Sequence, residues 1–158
     1  MNECKSGFTV YVDADACPSV IKEEIVRLME GSAGICRFIA SYRHFSPEAD
    51  RSLWTFIDDG KEAADLYIAN RVREGDIVVT QDIGLASLVL SKGVYALSPR
   101  GKEYKPDKID TSLSFRYLHQ MERKKGNYSP GPKKLTMIEV ETFSKTLLKF
   151  LFELEGKA

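Results

Sequence analysis

The chain has 158 residues, 43% of them hydrophobic and 29% charged, and its 23 basic and 23 acidic side chains balance to a net charge of zero. This is the composition of one folded domain with a substantial core, not of a disordered chain. No apolar run reaches the roughly 18 residues of a membrane span, and Met1 to Ser6 lack a signal peptide's apolar stretch, so the cytoplasm is the expected compartment.

The elements alternate through the first hundred residues. Phe8 to Val12 predicts a strand that ends at Asp13. Pro18 to Met29 predicts a helix, with Pro18 in the first helical position, Ile21, Ile25 and Leu28 on one face, and Gly31 as its stop. Ile35 to Ala40 reads as a second strand, Ser46-Pro47 as the opening of a short helix, and Leu53 to Ile57 as a third strand. Glu62 to Arg73 is helical, Ile77 to Thr80 a short buried strand, Leu85 to Leu90 helical again, and Val94 to Leu97 a last strand closed by Ser98-Pro99. Strands separated by helices imply a mostly parallel sheet between helical layers, a three-layer α/β/α, Rossmann-like domain. The pattern then changes: Asp110 to Arg123 and Met137 to Leu154 predict two added C-terminal helices joined by the loop Gly126 to Leu135. Thr136 with Glu139 forms a capping box at the start of the last one. No repeat or linker divides the chain, so residues 1–98 form the α/β core of one domain and 99–158 its basic loop and C-terminal helices.

Charge is unevenly spread. Residues 1–91 carry nine Lys/Arg against fifteen Asp/Glu, whereas residues 92–134 carry eleven against four. An acidic half followed by a basic segment suits an anionic substrate held beside a carboxylate cluster. A solvated loop with scattered lysines gives the same count.

Asp13 and Asp15 stand at the carboxyl end of the first strand, where open α/β sheets bind ligands. Asp15 alone could serve the following helix N-terminus, but the pair exceeds that need. Asp82 ends the fourth strand in the same way, and as a helix N-cap it would need no other role. Asp65 shares a helix face with Ile68, Ala69 and Val72 at i, i+3, i+4 and i+7, so its carboxylate heads the buried stripe, with Glu62 one turn earlier on the same side. A carboxylate in that position needs a cation, either an arginine from elsewhere or a metal. Convergent carboxylates with few histidines select Mg²⁺ or Mn²⁺ over zinc, and such ions activate water and neutralise charge on a phosphate. Cys4, Cys17 and Cys36 form no CxxC pair, and with only His44 and His119 beside them no zinc site of the usual spacing can be built. Cys17 reads as a small buried residue, and His44 as a surface or structural histidine that could face the same crevice. Arg100, Arg116, Lys133 and Lys134 are the basic groups available to bind phosphates.

The segments VDADACPSVIKEEI, DDGKEAADLYIANRVREGDIVVTQDIGLASLVLSKGVYALSPRG and GPKKLT resemble the YaiI/YqxD family of uncharacterised bacterial proteins, in order and with matching spacing over nearly the whole chain. That family is considered PIN-like. The resemblance implies a PIN-like fold with strand one beside strand four, and an acidic core of Asp13, Asp65 and Asp82 with Asp15 next to it. Glu62 stands where the family carries aspartate, which keeps the charge one carbon further out, and Val140 stands where the family tends to carry arginine after an acidic residue, here Glu139. The expected activity is a metal-dependent endonuclease using Mg²⁺ or Mn²⁺, acting on RNA or, second, on single-stranded DNA. Two alternatives stand beside it. One is a non-catalytic RNA- or protein-binding module. The other is a haloacid-dehalogenase-type phosphatase with Asp13 as nucleophile, in which Cys17 occupies a position usually held by Thr or Val.

Overall fold

The first strand, β1 (Thr9–Asp13), alternates buried and half-buried residues because Val10 and Val12 point into one core while Thr9, Tyr11 and Asp13 face the other side of the sheet. The computed structural model describes residues 7–58, 60, 63–108 and 134–156. Within them the order continues as α1 (Ser19–Met29), β2 (Ile35–Ser41), β3 (Trp54–Ile57), α2 (Ala63–Arg71), β4 (Ile77–Val79), α3 (Ile83–Leu90), β5 (Tyr95–Leu97), β6 (Glu103–Tyr104) and α4 (Met137–Gly156).

The strands form one sheet in the order β3-β2-β1-β4-β5-β6, parallel except for β6. β1 pairs with β2 on one side, Asp13 opposite Ile39, and with β4 on the other, Val12 opposite Val79. The chain thus winds outward from β1 in both directions, and the boundary between β1 and β4 is the topological switch point. Helices cover both faces. α1 and α4 close one core through Ile21, Ile25, Phe143, Leu147, Phe150 and Leu151, packed on Val10, Val12, Phe38 and Val79. α2 and α3 close the other through Ile68, Ala69, Leu85, Ala86 and Val89, packed on Ile39, Val78 and Ala96. The result is a three-layer α/β/α, Rossmann-like arrangement. Among the described residues no helix is long and apolar enough to cross a membrane.

Local details depart from the sequence reading in four places. Pro18 is the N-cap of α1, with an extended ψ of 147°, not its first helical residue, and Met29 is buried where Leu28 is only half-buried. Ser46-Pro47 opens no helix. The Ser46 carbonyl accepts from Ala49 N and its hydroxyl from Glu48 N, and Asp50 repeats this side-chain competition with Ser52, so the segment folds as successive turns. The only helical turn in that stretch is a single 3₁₀ turn at Tyr42–His44. The two-residue β6 adds an antiparallel edge strand beyond β5, reached through a turn in which Gly101 takes a φ of +95°. Its tight seating is required, since a Cβ at Gly101 would lie 2.6 Å from the Phe143 nitrogen. The capping box forms as expected: Glu139 N donates to Thr136 Oγ1 at 3.1 Å and Thr136 N to Glu139 Oε1 at 3.0 Å. The expected helix Asp110 to Arg123 and most of the Gly126 to Leu135 loop lie outside the described residues.

Candidate functional site

Each parallel strand ends at the same edge of the sheet, so whatever residue follows a strand is delivered to one rim. β1 ends at Asp13, with Asp15 in the 3₁₀ turn just after it; β2 ends at Ser41; β3 is followed by Asp58; and β4 leads through Thr80 to Asp82. α2 starts over the same rim and contributes Asp65 in its first turn. Asp13, Asp15, Asp58, Asp65 and Asp82 line one cleft of about 410 Å³, together with Ser41 and Arg43. Asp65 indeed heads a buried stripe: Ile68, Ala69 and Val72 below it are buried.

The carboxylates are held individually. Thr80 Oγ1 donates to Asp13 Oδ2 at 3.2 Å and accepts from Asp82 N at 3.0 Å, so one buried hydroxyl bridges the ends of β1 and β4. The Thr80 carbonyl in turn accepts from Tyr104 Oη at 3.1 Å, which makes β6 a buttress for this bridge. Asp82 caps α3, its Oδ1 accepting from Leu85 N at 3.1 Å. Asp15 accepts from Ser41 N through both oxygens at 3.2 Å, and His44 Nδ1 lies 2.7 Å from its Oδ1. Burial pushes the Asp13 carboxyl above its ordinary range, the Thr80 hydroxyl opposes this, and the negative charges of Asp15 and Asp82 add to the upward shift. Among the described residues the enclosed Ser41 hydroxyl has no hydrogen-bond partner, and Ser41, 5% exposed, lines the cleft. The donors gathered here are hard oxygens, the set that suits Mg²⁺ or Mn²⁺.

Four of the aspartates picked from the sequence therefore meet in one place. Asp58 was missed, although it repeats the strand-end aspartate pattern after β3, and so were the bridging Thr80 and the enclosed Ser41. His44 sits beside Asp15, half-exposed as a rim residue. Cys17 is a core residue, its thiol pushed up to about 12 by burial, which removes it as a nucleophile. Arg100 lies away from the cleft lining, its Nη1 bonded to Glu139 Oε1 at 2.6 Å, and Lys134 is an exposed residue ahead of α4. Glu62, Arg116 and Lys133 lie outside the described residues.

The family model described as uncharacterized BCR, YaiI/YqxD family, matches residues 11–153. The chain belongs to that family. Among its relatives, a UPF0178 protein of Bacillus pumilus is 48% identical over 99% of this chain and 93% of its own length. Another from Bacillus velezensis is 47% identical over 94% and 88%, and one from Listeria welshimeri is 42% identical over 90% and 94%. The matched region contains every cleft aspartate. No solved structure matches the chain significantly.

Proposed function

We propose that this member of the YaiI/YqxD family is a metal-dependent nuclease of PIN-like type, hydrolysing phosphodiesters of RNA. The observation that carries the reading is the convergence of five aspartates from three strand ends and one helix start on a single cleft at the switch point. Structural roles do not account for all five. Asp82 has its cap to make and Asp15 its bonds to Ser41, but Asp13 is half-buried among like charges at a cost to folding that a bound cation offsets.

Among the described residues no three His, Cys, Asp or Glu side chains form a tight ion-binding cluster. That spacing still suits a hydrated ion: Mg²⁺ keeps several waters and uses only one or two carboxylates directly, so a wide acidic cleft fits it better than zinc. Asp13, Asp65 and Asp82 are the residues that would hold it. A bound divalent cation supplies charge neutralisation at a phosphate oxygen and a lowered water pKa. The chain's own contribution is positional. Thr80 fixes Asp13 relative to Asp82, and Ser41 N fixes Asp15.

The phosphatase alternative needs a lysine near the nucleophilic aspartate, and among the described cleft-lining residues the cation is Arg43. The test is titration of Mn²⁺ into wild type and an Asp13→Asn/Asp82→Asn variant by calorimetry, followed by incubation with mixed RNA. Binding and cleavage lost together in the variant support the proposal. Cleavage that persists in the variant refutes it, and wild type that binds no metal leaves a non-catalytic RNA- or protein-binding module.

A further inference from the structure

A second groove lies on the same face of the sheet as the acidic cleft, further down the strands. It measures about 380 Å³ and is lined by Thr9, Tyr11, Arg37, Thr55, Tyr67 and Arg71. The alternation of side chains sets the two grooves in line on one face of the sheet. Along β1 one face carries Thr9, Tyr11 and Asp13; along β2 it carries Arg37, Ile39 and Ser41; along β3 it carries Thr55 and Ile57. In each strand the first residues line the lower groove and the last line the acidic cleft. α2 forms the wall of both, with Asp65 at its upper end and Tyr67 and Arg71 below.

The chemistry changes sign along this track. The upper cleft is crowded with carboxylates, while the lower groove presents two guanidinium groups. Neither is paired with a carboxylate among the described residues: Arg37 Nη1 reaches the Ser52 carbonyl at 3.4 Å, and Arg71 Nη1 the Tyr67 carbonyl at 3.5 Å. The nearby Asp76 is buried, its two oxygens taken by Thr9 N and Arg73 N. The Arg71 guanidinium carbon sits 3.6 Å from the centre of the Tyr67 ring, so ring and guanidinium form one stacked surface. Arginines interleaved with aromatic rings in a groove are the combination that holds single-stranded nucleic acid: the cations take phosphates, and the planar groups stack unpaired bases.

We infer that this groove is the binding track for a single-stranded RNA whose scissile phosphate lies in the acidic cleft, with Arg37 and Arg71 contacting phosphates and Tyr11 and Tyr67 stacking bases. Tyr11 lies two strand residues below Asp13, about 7 Å, or roughly two stacked nucleotides. The inference rests on the nuclease reading for the role of the cleft, but it specifies something that reading leaves open: that the substrate is unpaired, and where it runs. A duplex offers no free base faces to the tyrosines.

The experiment is fluorescence anisotropy with a labelled oligouridylate of about ten nucleotides, in EDTA so that binding is read without cleavage. An Arg37→Gln/Arg71→Gln variant is expected to bind at least about tenfold more weakly at low salt, and the log–log salt slope to fall by roughly 1.4 as two phosphate contacts are lost. Tyr67→Leu, which keeps an apolar side chain but removes the ring, is expected to lose about tenfold with an unchanged salt slope. Circular dichroism confirms that each variant is folded; if the double variant is not, Tyr67→Leu and Arg71→Gln alone carry the test. Wild-type affinity in the folded variants overturns the inference. So does equal binding of the same sequence as a duplex, and preferential binding of polyglutamate reassigns the groove to an acidic protein segment. Groove-dependent RNA binding without any cleavage in Mn²⁺ upholds the track and removes the nuclease; cleavage indifferent to the groove variants does the reverse.

Discussion

Replacing Thr80 by valine removes one hydroxyl while keeping the side chain's shape, and so isolates the bridge between Asp13 and Asp82. Thr80 is 1% exposed, so no cavity opens and no water readily replaces the lost group. Two bonds disappear: the donation to Asp13 Oδ2 and the acceptance from Asp82 N. A hydrogen bond to a charged group contributes about 1.5–3 kcal/mol and a neutral one about 0.5–1.5 kcal/mol. The Asp82 amide is at the cleft, where solvent compensates part of its loss, so the expected destabilisation near neutral pH is about 2 kcal/mol. With a urea m-value of about 2 kcal/mol/M, the unfolding midpoint falls by about 1 M.

The pH dependence of this loss has a definite sign. The Thr80 hydroxyl lowers the Asp13 pKa against the upward pull of burial, so the variant's Asp13 titrates higher than the wild type's. The wild-type advantage from this bond is fully present above both values and shrinks as pH falls through them. Urea titrations of both proteins at about pH 7 and about pH 4 therefore give a smaller difference at the lower pH. A difference below about 0.5 kcal/mol at neutral pH, or one unchanged by acid, would refute the view that Thr80 serves the ionised Asp13.

Two further outcomes follow from the same structure. Asp13→Asn is expected to raise the melting temperature in metal-free buffer at neutral pH, because the folded-state pKa of Asp13 is raised and the ionised group therefore opposes folding above its ordinary range. In saturating Mn²⁺ the wild type gains, by about 2.7 kcal/mol at a hundredfold excess over its dissociation constant, and the variant does not; thermal melts with and without metal read both effects. Thr136→Ala breaks the capping box of α4 and is expected to cost about 1 kcal/mol in denaturant unfolding, with no change in Mn²⁺ affinity since α4 lies on the opposite face from the cleft.

Much of the fold was legible in the sequence because its signals are local. Apolar runs bounded by turns gave five strands to within a residue or two, and the capping box marked the start of α4. What failed was either too short or decided elsewhere. β6 has two residues, too few for any periodicity, and exists because Gly101 lets the chain turn back against α4. The Ser46 segment turned out as turns because its serine and aspartate satisfy the backbone locally. For the site, Asp65 was readable from the apolar stripe below it, and Asp13 and Asp82 from their strand-end positions. Asp58 was hidden inside Asp58-Asp59-Gly60, which reads as an ordinary turn. Ser41 and Thr80 carry no periodic signal at all, since their importance depends on which strands become neighbours. The groove of Arg37, Tyr11 and Tyr67 was invisible for the same reason: its members come from three strands aligned only by the register of the sheet and from the helix packed over them.

The division of the core between two faces gives the chain an order of completion as it is synthesised. Every described residue of the cleft lies before position 83 and every described residue of the groove before position 72, whereas the opposite face waits for Phe143, Leu147, Phe150 and Leu151 of α4. A nascent chain halted ahead of Met137 already carries its acidic rim, but leaves Ile21, Ile25 and Phe38 without their cover. Such an intermediate displays its stickiness on the side away from the chemistry. Chaperones and proteases that survey half-made copies would thus meet the bare back of the sheet, and the last helix acts as the seal that withdraws the protein from their attention.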